Sequence, residues 1–206
     1  MLEVIDPGVL STIQDHERDM AHLGVPPGGA CDRTAYSALA TLLGVDGPAA
    51  IEMTLLGATF AVRESCVVAL TGADFGGEIV EEARPVRPGN AALVRAGTTL
   101  RFGPGLNGAR AYLSLAGGVD IPEVLGSTST CLAGGFGGMD GRPLRAGDIL
   151  RAVHPGRLDL AGRRWPDAVS GELPEPGVTP IRVVLGPHVA HVGTRALDGL
   201  LGTDWS

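Results

Sequence analysis

Lysine is absent from the 206 residues, and all sixteen basic side chains are arginine. A chain with no side-chain primary amine has no Schiff-base lysine, no Walker-type phosphate lysine and no lysine on which biotin is carried. Any lysine-borne cofactor must therefore arrive on another chain. Acidic residues number 23 and the net charge is -7, which argues against nucleic acid as a partner, because phosphate binding needs a basic face. Cysteine is restricted to Cys31, Cys66 and Cys131, odd in number, widely separated and never in a CxxC pair. Neither a disulfide framework nor a zinc site is expected. No run approaches the roughly 18 apolar residues of a membrane span, and the opening MLEVID lacks the basic segment of a signal peptide. The expectation is a cytoplasmic protein with no membrane partner. Neither a GxSxG elbow nor an HExxH helix is present, and His188 and His191 lack a third ligand of fitting spacing, so no metal is expected.

What the chain has in excess is glycine. Its 32 glycines are about twice the average usage of ~7%, and 15 prolines accompany them. Many turns between short elements are implied. Short apolar or β-branched runs at 2–5, 9–13, 50–56, 58–63, 66–70, 91–95, 98–102, 109–116 and 148–153 read as strands, with a hairpin-like spacing across Ala96-Gly97. From Asp32, a good N-cap, Ala35, Leu39, Leu42 and Leu43 fall on one helical stripe that Gly44 can close. Many close-set strands with one strong helix predict a mainly β protein, a barrel or sandwich, rather than βαβ units. Residues 1–153 form this domain, 154–180 read as a Pro/Gly-rich linker, and 181–206 begin a second lobe that is incomplete at Ser206. That lobe opens with a strand at 181–185 and continues with a helical pattern at 188–201.

Chemistry concentrates in residues 11–32, STIQDHERDMAHLGVPPGGACD. Gln14, Asp15, His16, Glu17, Arg18 and His22 supply amide, carboxylate, imidazole and guanidinium groups ahead of a Gly/Pro run that forces turns. Glu52 interrupts an apolar strand, and Asp74 stands at a strand end. The GGFGG run at 134–138, preceded by the hydroxyls of 127–130, offers backbone amides to an anion.

Several segments in order resemble the family of the 5-oxoprolinase C-subunit, also known as allophanate hydrolase subunit 2 and as biotin-dependent carboxyltransferase domains. They include STIQD at 11–15, HLGVP at 22–26, GACD at 29–32, EMTL at 52–55, LTGAD at 70–74, AGGVD at 116–120, VLGSTST at 124–130 and GGFGG at 134–138. Where the family has a Gly-Arg-Pro-Gly-like turn after Gln-Asp, this chain keeps only Arg18. The resemblance implies a cyclophilin-like β-barrel with one or two helices, and one component of a multi-subunit, ATP-dependent hydrolase acting on a small amide. Conversion of 5-oxoproline to glutamate leads, and a carboxyltransferase or allophanate-directed role in urea breakdown is the alternative; a non-enzymatic regulatory branch also exists. It further implies a homologous partner, of the 5-oxoprolinase B-type or allophanate hydrolase subunit 1 type, and a third, A-type protein. ATP is expected to act through the complex, and biotin only via another chain.

On this reading Gln14, Asp15, His22 and Asp32 line a cleft facing the partner, with Glu52 at its floor. His22 is the expected proton-transfer group, because imidazole titrates near neutral pH, with Asp15 or Glu52 orienting it or acting as base. Gln14, Gly24, Gly29, Asp32, Gly135 and Gly137 are the expected substrate-binding positions.

Overall fold

The computed structural model describes residues 1–165 and 183–203. The chain divides into two compact units, Met1–Ser170 and Gly171–Ser206. The first is mainly β, as expected. Its strands are β1 (Leu2–Asp6), β2 (Leu10–Gln14), β3 (Ala50–Thr54), β4 (Thr59–Val62), β5 (Cys66–Gly72), β6 (Glu78–Ile79), β7 (Arg84–Pro85), β8 (Asn90–Val94), β9 (Thr99–Arg101), β10 (Arg110–Leu115) and β11 (Ile149–Leu150). They pair antiparallel in two sheets, β11-β1-β4-β9-β6-β7 and β2-β3-β10-β5-β8.

Period-2 alternation decides which side chains meet. Val4 and Phe60 of the first sheet pack with Ile13, Ile51, Met53, Val68, Leu70 and Leu113 of the second. The second sheet is also covered on its outer face, where α1 (Arg33–Leu43) sets Tyr36, Leu39 and Leu43 against Ala50, Val67, Ala69 and Tyr112. Burial on both faces is why β5 reads as a continuous apolar run rather than an alternating one. The helix starts where the Asp32 carboxylate accepts from Ala35 N at 2.9 Å and stops at Gly44, whose φ of 64° suits glycine. Because α1 lies over β5, β10 and β8, the outer face of β2 and β3 is left to the polar loop that precedes the helix.

Two sequence expectations change. The runs flanking Ala96-Gly97 are not a hairpin: β8 pairs with β5 and β9 with β4, so the turn carries the chain from one sheet to the other. The stretch from His154, read as linker, lies along β8 as far as Trp165. Ala91 N donates to Arg163 O, Gly162 N to Ala91 O and Trp165 N to Gly89 O, while Leu160 is buried beneath. Burying Leu160 and covering the β8 edge favours attachment despite the weak periodicity.

In the second unit, α2 (Val189–Val192) and α3 (Thr194–Gly202) occupy the expected helical stretch. The strand expected at 181–185 falls partly outside the described residues, and Val183, Val184 and Leu185 have no regular structure. No helix among the described residues is long and apolar enough to cross a membrane.

Candidate functional site

The polar loop begins where β2 ends, and a segment far along the chain anchors it. Asp15 is 2% exposed. Its Oδ1 accepts from Ser127 Oγ at 2.5 Å and Ser129 Oγ at 2.6 Å, and its Oδ2 from Thr128 N at 2.7 Å. Ser129 Oγ in turn receives Asp15 N at 2.9 Å, and Thr130 N donates to Ile13 O at 2.8 Å. The alternating hydroxyls of Ser127 and Ser129 thus face one carboxylate, as period-2 geometry requires of an extended segment.

Arg18 grips the same segment through its carbonyls. Its guanidinium is 2% exposed; Nε donates to Val124 O at 3.0 Å, and Nη2 to Ser127 O at 3.3 Å and also to Ser129 O. The Phe136 ring lies 5.0 Å from its central carbon, a cation–π contact. Among the described residues Arg18 makes no ion pair. Its positive charge and the negative charge of Asp15 stand on the two polar sides of one strand-like segment, a pair divided by backbone. Gly137, in the glycine run that the sequence offers as an anion nest, packs against this guanidinium, as does Gly28 of the earlier Gly/Pro run. A Cβ on Gly137 would lie 2.6 Å from Arg18 Nη2, and one on Gly28 would lie 3.0 Å from Nη1. Gly135 is exposed at the turn of the same loop with φ of 67°.

Beside α1 a cleft of about 990 Å³ opens, lined by Asp15, His16, Glu17, Arg33, Tyr36, Asp46 and Glu123 among others. His16 is the imidazole that lines it: Nε2 lies 3.2 Å from Gly126 O and Nδ1 lies 3.7 Å from Asp15 Oδ2. The Gly126 contact is a hydrogen bond, whereas Asp15 is a neighbouring charge beyond hydrogen-bond reach, and the side chain is about half exposed. Glu17 pairs with Arg33 at the rim. Tyr36 Oη donates to Pro48 O at 3.0 Å; burial first, then the charges of Asp15 and Asp46, push its phenol above the ordinary tyrosine range. It is a hydrogen-bond donor, not a phenolate.

The predicted residues separate into three places. Asp15 lines the cleft. Gln14, Glu52 and Asp32 lie on and beside the outer face of the second sheet, where Glu52 Oε2 accepts from Cys31 N at 2.8 Å and Tyr112 Oη at 2.7 Å. Tyr112 Oη accepts from Asp32 N at 2.7 Å, and burial followed by the Glu52 hydrogen bond raises its phenol pKa. Glu52 therefore holds the start of α1 as well as facing the loop. His22 and Gly24 sit at the exposed tip of the loop, on a 3-10 turn over Ala21–Leu23, and do not line the cleft. Gly29, with φ of 89°, lies against the Glu17 backbone, where a Cβ would stand 3.1 Å from Glu17 N. His16 and Arg18 were missed as site residues. The retained arginine of the family's turn and the Ser-x-Ser spacing at 127–129 were the available signals.

The family model of the carboxyltransferase domain, subdomain A and B, matches residues 23–206. This chain belongs to that family. It is 32% identical over 197 residues to the urea amidolyase of Saccharomyces cerevisiae, covering 91% of this chain and 10% of that protein. It is 38% identical over 152 residues to the 5-oxoprolinase C-subunit of Escherichia coli, covering 73% of this chain and 48% of the relative. Among solved structures, the Kluyveromyces lactis urea amidolyase superposes with a TM-score of 0.70 at 32% identity, over 80% of this chain and 10% of that one. The chain thus spans about a tenth of these amidolyases and about half of the oxoprolinase relative. By their names, these relatives are enzymes, or parts of enzymes, of urea and of 5-oxoproline.

Proposed function

We infer that this chain is one half of a carboxyltransferase-type module in a multi-subunit or fused ATP-dependent system that opens a small amide. Conversion of 5-oxoproline to glutamate is the leading reaction, and a urea-derived amide such as allophanate is the alternative. The observation that carries the reading is the His16 ring, hydrogen-bonded to the Gly126 carbonyl in an open cleft with the Asp15 carboxylate 3.7 Å away. Imidazole exchanges protons near neutral pH, and amide opening needs a proton delivered to the departing nitrogen. Asp15, saturated by two hydroxyls and an amide, stands beside the ring as a fixed negative charge rather than acting as base. His22 and Gly24, at the exposed loop tip, face the homologous B-type partner. ATP is handled with the A-type protein, and any biotin is carried on a lysine outside these 206 residues, which have none.

The test is reconstitution. Co-purified with its B-type partner and supplied with the A-type protein, the chain should support 5-oxoproline-dependent ATP hydrolysis that vanishes when it is omitted. His16→Gln should lower kcat by about 10²–10⁴-fold with the complex intact. Normal turnover in that variant removes His16 from the chemistry, and a stable complex that turns over neither 5-oxoproline nor allophanate removes the enzymatic reading.

A further inference from the structure

The two nitrogens of His16 face different surroundings. Nε2 points at Gly126, which does not line the cleft, whereas Nδ1 points at Asp15 and Gly47, which do. A carbonyl can only accept, so the 3.2 Å contact with Gly126 O places the proton of the neutral ring on Nε2. Nδ1 then carries the lone pair. It makes no hydrogen bond among the described residues, because Asp15 Oδ2 is 3.7 Å away and already receives Thr128 N at 2.7 Å.

Gly47 is what leaves that nitrogen open. Its φ of 59° lies in the left-handed region, and a Cβ there would stand 3.2 Å from Nδ1 and 3.7 Å from Cε1. The residues that follow are tied down: Tyr36 Oη donates to Pro48 O at 3.0 Å, and Val119 N to Ala49 O at 2.9 Å. The ring, half exposed and held by one hydrogen bond, is therefore the part that yields to a side chain at position 47. We propose that His16 works through Nδ1, and that Gly47 is a positioning residue that keeps this nitrogen open to a ligand in the cleft. The neutral ring offers Nδ1 as acceptor to an N–H or O–H of that ligand. The protonated ring offers Nδ1–H, and on giving up that proton it returns to the Nε2–H form, still bonded to Gly126. That the proton goes to an amide nitrogen rests on the proposed function; the choice of ring nitrogen and the part played by Gly47 do not.

Two measurements on the full chain test this without any turnover. With isotopically labelled histidine, nitrogen NMR is recorded at about pH 9, where an ordinary imidazole of pKa ~6.5 is neutral. The resonances that His16→Gln removes should be those of a bare Nδ1 and a protonated Nε2. A proton on Nδ1 instead overturns the proposal. Diethyl pyrocarbonate acylates the bare nitrogen of an imidazole, and its reaction at His16 is followed by mass spectrometry of the peptide. Gly47→Ala should slow that reaction several-fold. Gly76→Ala is the control, because its φ of 58° imposes the same backbone strain with nothing within 4 Å of the added Cβ, and it should leave the rate unchanged. Equal rates in the two variants overturn the role of Gly47. Should Gly47→Ala fail to fold, Gly47→Asn supplies the Cβ on a residue type that tolerates positive φ. In the reconstituted complex Gly47→Ala should lower kcat several-fold and Gly76→Ala should not. A bare Nδ1 that Gly47→Ala shields, in a complex that turns over nothing, keeps this inference and removes the proposed function. Full turnover in Gly47→Ala does the reverse.

Discussion

Asp15 and Arg18 do opposite things to one segment: the carboxylate collects its hydroxyls and an amide, the guanidinium its carbonyls. Neither charge touches the other, yet each lowers the cost of burying its counterpart across a thin, polar stretch of chain. Lysine cannot replace Arg18, because one ammonium cannot span carbonyls spread over Val124, Ser127 and Ser129 and also lie flat against Phe136. Arg18→Lys should therefore cost about 3 kcal/mol, as truncating a buried charged network does. On a chain of this size that is a fall in Tm of roughly 6–12 °C. Combining Asp15→Ala with Arg18→Ala should be less damaging than the sum of the single changes, with a coupling of about 0.5–3 kcal/mol in denaturant titrations. Strict additivity would show that the segment does not transmit between them.

At the scale of elements, α1 is the piece whose ends are most plainly specified. Asp32 caps it, Gly44 closes it, and the Glu52–Tyr112 pair holds the Asp32 amide. Asp32→Ala should cost about 1 kcal/mol, seen as a Tm lower by roughly 2–4 °C. An unchanged Tm would mean that the Tyr112 contact alone sets the helix start. This helix was legible in the sequence because cap, stripe and closing glycine lie within one local window. The strands from β1 to β5 were legible for the same reason. The route from β8 to β9 was not, since the turn at Ala96-Gly97 looks the same whether the next strand folds back on its neighbour or crosses to the other sheet. That choice is made by β5 and β4, which lie well before the turn in the chain. The two-residue strands β6 and β7 carry too few positions for a period to register. The site divides along the same line: residues 11–32 announced their chemistry by composition, but which histidine enters the cleft depends on Gly126, Ser127 and Ser129, and no local pattern links them.

For the whole molecule, the two buried phenols set an alkaline limit. Burial chiefly raises both Tyr36 and Tyr112 above the ordinary value near 10, so the unfolded chain releases these protons at lower pH than the folded one. The unfolded state then binds fewer protons, and stability falls as pH rises past about 10, by up to ~2.7 kcal/mol per unit for two phenols. Below pH 10 their contribution is constant. Urea titrations between pH 8 and 11 should show this decline, to which the buried Cys66 thiol also contributes, and Tyr36→Phe should lower the slope above pH 10 by up to ~1.4 kcal/mol per unit. A flat profile would show that both phenols ionise freely in the folded protein.

The divided charge pair has a further consequence in time. Asp15 waits for Ser127 and Ser129, 112 and 114 positions later, and Leu2 for Leu150. At ribosomal rates of roughly 5–20 residues per second, an interval of roughly 5–20 s separates the emergence of the carboxylate from that of the groups that bury it. During that interval β2 can pair with β3 but its outer edge, later covered by Thr130 N and Leu144 N, is open, and the polar residues around it keep that edge wetted, delaying association with other chains until the covering segment has been synthesised.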